Sequence, residues 1–205
     1  MELKQALEEL RKSEKRNFEQ SIDLVINLKG IDIKRDNISI VIPIPYKVKE
    51  KKVCGFLTKK SELVKTITQP DFAKYKDKKM LKNLIKDFDF FIASASLMPS
   101  VATTFGKILG PVGKMPSPHL GVLMKEDDDS IKQLLDKIEK SVKVRVKEPS
   151  VKISIGKENM SDAQILANID AVYQGLINAL PTKKENVKNI MLKLTMSKPI
   201  KVEMK

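Results

Sequence analysis

Apolar and polar residues alternate along the chain in two different rhythms. Near the start, Leu3, Ala6, Leu7 and Leu10 recur at helical spacing in a Glu- and Lys-rich stretch, which predicts an amphipathic helix over residues 2–16. In "SIDLVINL", Ile22, Leu24, Ile26 and Leu28 alternate with polar or opposite-facing positions, a strand over 21–28. Gly30 and the polar "KRDN" at 34–37 break the chain. "ISIVIPI" alternates again from Ile38 to Ile44, and Pro43, lacking an N–H, places this strand at an edge or at its own end. The far end answers in kind. "SVKISI" turns Val151, Ile153 and Ile155 to one side, and "NIMLKLT" does the same with Ile190, Leu192 and Leu194. Between them, Ser161 and Gln164 of "SDAQ" form a capping-box pattern ahead of a helical stripe on Ile165, Ile169, Val172 and Leu176, which stops before Pro181.

The middle of the chain has the second rhythm. "VCGFL" reads as a short buried strand and "SELVKTI" as a helical turn or two. "KKMLKNLIKDF" reads as a basic amphipathic helix, "FFIASASL" as a strand, and "PSVATTFGKIL" as a helix with proline in its first turn. The loop "GKILGPVGKMPSPHLG" (106–121) follows, then a helix over "DSIKQLLDKIEKS" and a strand over "VKVRV". Strands alternating with helices predict a mostly parallel sheet with helices on both faces. The expected fold is therefore α/β. An α+β terminal domain from residues 1–45 and 149–205 is interrupted by a doubly wound, Rossmann-like α/β insertion at 46–148, with the two crossings near 45–50 and 147–150 as a hinge.

Charge changes this picture into a functional one. The 205 residues carry a net charge of +13, which favours a polyanionic partner, nucleic acid before membrane. With these boundaries the insertion holds 22 basic and 13 acidic side chains and the terminal segments 17 and 13, so charge alone makes the insertion the stronger attractor. No apolar run reaches membrane-spanning length, and the charged start "MELKQALEEL" reads as neither signal peptide nor anchor. The single cysteine, Cys54, excludes an internal disulfide and fits a reducing cytosol.

Candidate chemistry is sparse. Cys54 and the only histidine, His119, make no zinc site of ordinary spacing. Glu126 to Asp129 of "EDDDS" concentrate four carboxylates, either for a hard cation or, better placed, to complement the dipole of the helix that follows. The glycine–proline loop, with Lys107 and Lys114, suggests a phosphate cradle but lacks the Ser or Thr after the lysine and misses the dinucleotide glycine spacing. It reads as a rigid turn whose lysines suit an RNA backbone, as secondary contacts. No cofactor and no metal is expected. A nucleotide-dependent enzyme built on the insertion is the alternative reading. A second constellation lies in the terminal segments. "RNFEQS" sets Phe18 beside Arg16, Asn17 and Ser21, and "LTMSKP" sets Thr195, Met196, Ser197 and Lys198 at a strand end. An aromatic ring, small hydroxyls and a thioether suit sugars and bases, where the 2′-OH both donates and accepts. The same residues also suit packing, with Phe18 in a core and Met196 filling a gap.

At these stretches the chain resembles the universal family of ribosomal proteins numbered first in the large subunit, which form the mobile stalk beside the tRNA exit site. The resemblance rests on "RNFEQSIDLVINLKGID", "DFFIASASLMP", "GKILGPVGKMPSPHLG", "ENMSDAQILANID" and "KLTMSKPIKV", in family order over nearly the whole chain, with an archaeal flavour in "NFEQSIDL" and "LMPS". It implies a monomeric rRNA-binding protein of the cytoplasmic ribosome that assists release of exit-site tRNA and represses translation of its own mRNA. It is no enzyme and has no membrane partner. It places RNA contacts on Phe18, Ser21, Thr195 and Met196, with Asn17, Lys152, Ser197 and Lys198 completing the candidate set. Ser197 stands where glycine is usual and Lys198 where proline is usual. A β-carbon at 197 limits close approach of backbone to RNA, and Lys198 adds charge. Asn17 holds a position often basic in bacterial relatives. The resemblance also places the main rRNA site on the terminal domain, against the charge count.

Overall fold

A computed structural model describes residues 2–12, 16–32, 38–118 and 120–203. In chain order its elements are α1 (Leu3–Arg11), β1 (Ser21–Leu28), β2 (Ser39–Pro43), β3 (Val53–Phe56), β4 (Lys65–Ile67), α2 (Lys78–Asp87), β5 (Phe90–Ser94), α3 (Met98–Val112), β6 (Val122–Leu123), α4 (Asp128–Glu139), β7 (Ser141–Arg145), β8 (Ser150–Lys157), α5 (Asp162–Ala179), β9 (Val187–Leu194) and β10 (Ile200–Val202). They form two compact units, residues 1–49 with 140–205 and residues 50–139. His119, the break at 34–37 and residues 13–15 of the expected first helix lie outside the described residues.

The terminal unit has a four-stranded antiparallel sheet in the order β10-β9-β1-β8 and a two-stranded ribbon of β2 and β7. Alternation fixes which face is buried. Ile22, Leu24, Ile26 and Leu28 of β1 and Ile190, Leu192 and Leu194 of β9 join one core with Ala6, Leu7 and Leu10 of α1 and the predicted stripe of α5. The capping box forms as read: the Gln164 N–H donates to Ser161 Oγ (3.4 Å) and the Ser161 N–H donates to Gln164 Oε1 (3.3 Å). Pro43 ends β2. Asn168 of α5 is fully buried among these apolar side chains. Its Oδ1 accepts from the Tyr46 N–H (3.0 Å), and its Nδ2 donates to the Tyr46 and Ile155 carbonyls. A side-chain amide thus replaces a strand partner for a segment that leaves the sheet, and the polar atoms of Asn168 are themselves satisfied.

The inserted unit is a parallel sheet in the order β4-β3-β5-β6. Cys54, Phe56, Phe91 and Ala93 pack into one cluster with Leu81, Leu84 and Ile85 of α2 and Val101, Phe105 and Leu109 of α3. The alternate strand residues Val53, Phe90 and Ile92 are also buried, on the other face. Double-sided burial explains why these strands read as apolar runs.

Three expectations are corrected here. "SELVKTI" is not helical: Lys65–Ile67 pairs in parallel with β3, and Thr66 Oγ1 accepts from the Ser61 N–H (3.2 Å) and donates to the Val64 carbonyl (3.1 Å), turning the chain into the strand. The first half of the glycine–proline loop is helix, since α3 runs to Val112 and ends on Gly113, whose φ of +78° is the left-handed cap that glycine adopts without strain. The strand in "VKVRV" belongs to the terminal unit, because β7 pairs with β2 and not with the parallel sheet. That last difference reverses the charge argument. Divided as the structure divides it, the terminal unit holds 23 basic and 14 acidic side chains and the inserted unit 16 and 12. The larger excess, +9 against +4, lies on the terminal unit.

Candidate RNA interface

Antiparallel pairing of β1 with β9 sets Ile22 opposite Leu194, so the start of β1 and the turn after β9 meet at one end of the sheet. There Thr195 is held by Ser21 three times over. The Thr195 N–H donates to the Ser21 carbonyl (3.1 Å), Thr195 Oγ1 accepts from the Ser21 N–H (3.1 Å), and the hydroxyl donates back to the Ser21 carbonyl (3.3 Å). Reasoning from strand phase alone gives Thr195 no protein partner; its hydroxyl in fact closes this junction. One lone pair remains for an outside donor, and the proton is already committed.

The turn is fixed from within. The Ser197 hydroxyl accepts from the Leu194 N–H (2.8 Å) and donates to the Lys198 carbonyl (3.2 Å). The side chain at 197 therefore bonds the turn that carries it. Gln20, nearly buried, accepts from the Met196 N–H on Oε1 (3.3 Å). Its own carbonyl accepts from the Glu158 N–H (2.9 Å), which ties in the β8–α5 loop. On this braced frame Phe18 is 51% exposed and Met196 is 64% exposed. Neither lies in a core, against the packing reading: the protein leaves half or more of each apolar side chain uncovered. Asn17, Thr195 and Lys198 are exposed beside them in sequence.

The sheet face opposite the core continues this patch. The phase of Ser21 carries Asp23, Val25 and Asn27, and register places Lys193 and Ser154 on either side of Asp23 and Met191 and Lys152 on either side of Val25. Lys152 is exposed two register rows beyond Asp23's neighbour Ser154, so it belongs to the same face but not to the turn. Burial pushes the Asp23 carboxyl up, against the pull of Lys193 and a hydrogen bond from Ser154. Asp23, Ser154 and Lys193 were absent from the sequence-based set. The signal was available, because they occupy the polar phase of strands whose other phase is core, but only register brings them together.

The inserted unit contributes less than its loop suggested. Lys114 Nζ donates to the Ile85 and Phe88 carbonyls (both 2.7 Å), capping α2 rather than presenting charge. Lys107 is exposed on α3. Cys54 is buried, and burial pushes its thiol up to about 12 against the pull of Lys65, which removes it as a nucleophile. Among the described residues no cluster of three metal-ligating side chains exists, and no helix is long and apolar enough to cross a membrane.

A basic unit with one core-facing and one open sheet face, edged by an uncovered phenyl ring and thioether, has the make-up of an RNA-binding protein. Comparison with known proteins narrows the class. Residues 10–198 match the family described as "Ribosomal protein L1p/L10e family". The chain is similar to the large ribosomal subunit protein uL1 of Picrophilus torridus (36% identical, covering 93% of this chain and 92% of the relative). The uL1 proteins of Methanocaldococcus jannaschii (34%; 98% and 94%) and Pyrobaculum calidifontis (30%; 98% and 92%) are similar over as much of their lengths. The chain belongs to the ribosomal protein L1p/L10e family, in its archaeal uL1 type. As such it is an rRNA-binding structural protein of the large subunit of the cytoplasmic ribosome, in a family that is not one of enzymes.

Proposed function

We propose that the terminal unit binds stalk rRNA with the patch built on Phe18, Ser21 and the Thr195–Lys198 turn, with Asn17 and Lys152 as flanking contacts. The observation that carries this reading is the pairing of two large exposed apolar side chains, Phe18 and Met196, with a hydrogen-bonded frame that ties the Met196 backbone to Gln20 and Thr195 to Ser21, three residues after Phe18. Exposed apolar groups on a rigid polar frame can pack on sugars and bases without an ordering cost, while the lysines supply affinity from the phosphates. Lys107 gives a weaker, non-specific contribution. In this reading the bound protein assists release of exit-site tRNA. It also represses translation of its own mRNA, whose leader presents the same shape to the same patch. One surface cannot hold both RNAs, so rRNA fragment and leader transcript are expected to displace each other one for one in a competition titration. Simultaneous binding of both would sink the shared-patch reading. The protein acts as a monomer outside the ribosome.

The hydroxyl of Thr195 tests the frame. Thr195→Val keeps the volume, loses both side-chain bonds to Ser21, and removes the remaining acceptor. It is expected to cost about 0.5–1.5 kcal/mol of folding stability and a further 1–3 kcal/mol of rRNA binding, measured by thermal melts and by titration well below the melting range. An unchanged affinity would remove Thr195 from the interface.

A further inference from the structure

In an open parallel sheet, ligands settle outside the carboxyl ends of the strands, where neighbouring strands send their connections in opposite directions. The order β4-β3-β5-β6 puts that point between β3 and β5, since β3 connects outward to β4 and β5 outward to β6. The residues there converge on one group, the carboxylate of Glu126, three residues beyond β6. Its Oε2 accepts from the Thr58 N–H (2.9 Å), the Thr58 hydroxyl (2.6 Å) and the Lys59 N–H (3.4 Å), all just past β3. Ser94, the last residue of β5, faces this carboxylate from the other side and helps to hold it charged, while its hydroxyl also shares a hydrogen bond with the Ser96 hydroxyl (3.0 Å). Burial opposes the Glu126 charge, yet the bonds from Ser94, Thr58 and Lys59 outweigh it and hold the carboxyl below its usual range. Both walls of the crevice therefore grip an oxyanion. A cleft of about 330 Å³ opens beside it, lined by Lys59, Lys60, Asp127 and Asp128 among others.

We propose that this crevice is an oxyanion site occupied by the chain's own Glu126, which closes the inserted unit to phosphate ligands. Three donors on one acid, two backbone N–H groups and a hydroxyl, reproduce what such crevices offer a phosphoryl oxygen, with the Ser94 hydroxyl facing them from β5. While Glu126 is in place, the lining has three carboxylates against two lysines, and a second anion is repelled as well as excluded. Without it the lining is balanced and the donors are free. The connection to sequence is direct: of the four acids in "EDDDS", Asp128 and Asp129 sit in the first turn of α4, whereas Glu126 serves a different end.

The test uses the full chain with Glu126→Ala, titrated with inorganic phosphate and followed by the amide resonances of Thr58 and Lys59 and by thermal melts. The variant is expected to melt lower than the parent. Phosphate should then restore much of the loss, with an affinity about tenfold or more above the parent's, the worth of a charge-assisted bond. Glu126→Ser covers the case in which the alanine variant does not fold. Its side chain is too short to reach the Thr58 and Lys59 donors, so they are freed as in the alanine variant, and phosphate should raise its melting temperature but not that of the parent. If the amides of Thr58 and Lys59 ignore phosphate in every folded variant, or if the parent binds phosphate as well as they do, the proposal fails.

Discussion

Phe105→Ala is expected to lower the melting transition of the inserted unit by at least about 12 °C and to leave rRNA affinity nearly unchanged. Phe105 is fully buried in α3, and its ring lies 4.8 Å from Phe56, 5.1 Å from Phe72 and 6.2 Å from Tyr75, centroid to centroid. Truncating such a ring costs about 3–5 kcal/mol in lost transfer energy and residual cavity. A unit of this size has roughly 5–15 kcal/mol in all, and each kcal/mol moves its midpoint by about 4–8 °C. Every partner of this ring lies within residues 50–139, and the core of the terminal unit draws on none of them. Calorimetry should therefore show one transition moving and one staying, while titration with stalk rRNA gives an affinity within about threefold of the parent, since the proposed rRNA patch lies on the other unit. A single transition that shifts as a whole, with affinity falling alongside, would contradict both the separation of the units and the placement of the site.

What the sequence made legible follows from how far each signal reaches. The alternation in "SIDLVINL" and the 161–164 cap are local, and each names its own structure. The β1 core face and the α5 start were readable to the residue. "SELVKTI" misleads because Leu63, Val64 and Ile67 have helical spacing, while a three-residue strand is too short to show a period. What decides it is pairing with β3, a contact the local window does not contain. β7 was recognised as a strand but given to the wrong unit, for the same reason: its partner β2 lies a hundred residues earlier. That one misplacement carried the charge count with it. Four basic residues, Lys140, Lys143, Arg145 and Lys147, moved with the boundary, as did Lys47 and Lys49 on the other side. The apparent conflict between charge and family resemblance then disappears. The candidate site shows the same division. Phe18 and Met196 were visible as residue types suited to RNA, but their exposure is a tertiary fact, as is the bracing of Thr195 by Ser21 and of Met196 by Gln20. Glu126 lay in plain view within "EDDDS" and could not be told from its neighbours, because its partners Thr58 and Ser94 come from two other strand ends.

The central claim is that specific rRNA binding belongs to the turn after β9 and not to the inserted unit. Two exposed methionines allow a matched comparison. Met196 is 64% exposed at that turn and Met124 is 87% exposed in the inserted unit, and neither exposure suggests a folding role. Met196→Glu and Met124→Glu change net charge equally, so the change in overall charge does not distinguish them. If the proposed patch is right, only the carboxylate at 196 meets a phosphate at short range, where repulsion runs from about 1 kcal/mol in water to about 4 kcal/mol in a partly desolvated site. The decisive measurement is the affinity of both full-length variants for one stalk rRNA fragment at fixed salt. The expected result is a loss of roughly 30- to 100-fold for Met196→Glu, in keeping with about 2–3 kcal/mol, against a change within about threefold for Met124→Glu. Equal losses, or the larger loss at Met124, would place the principal site elsewhere.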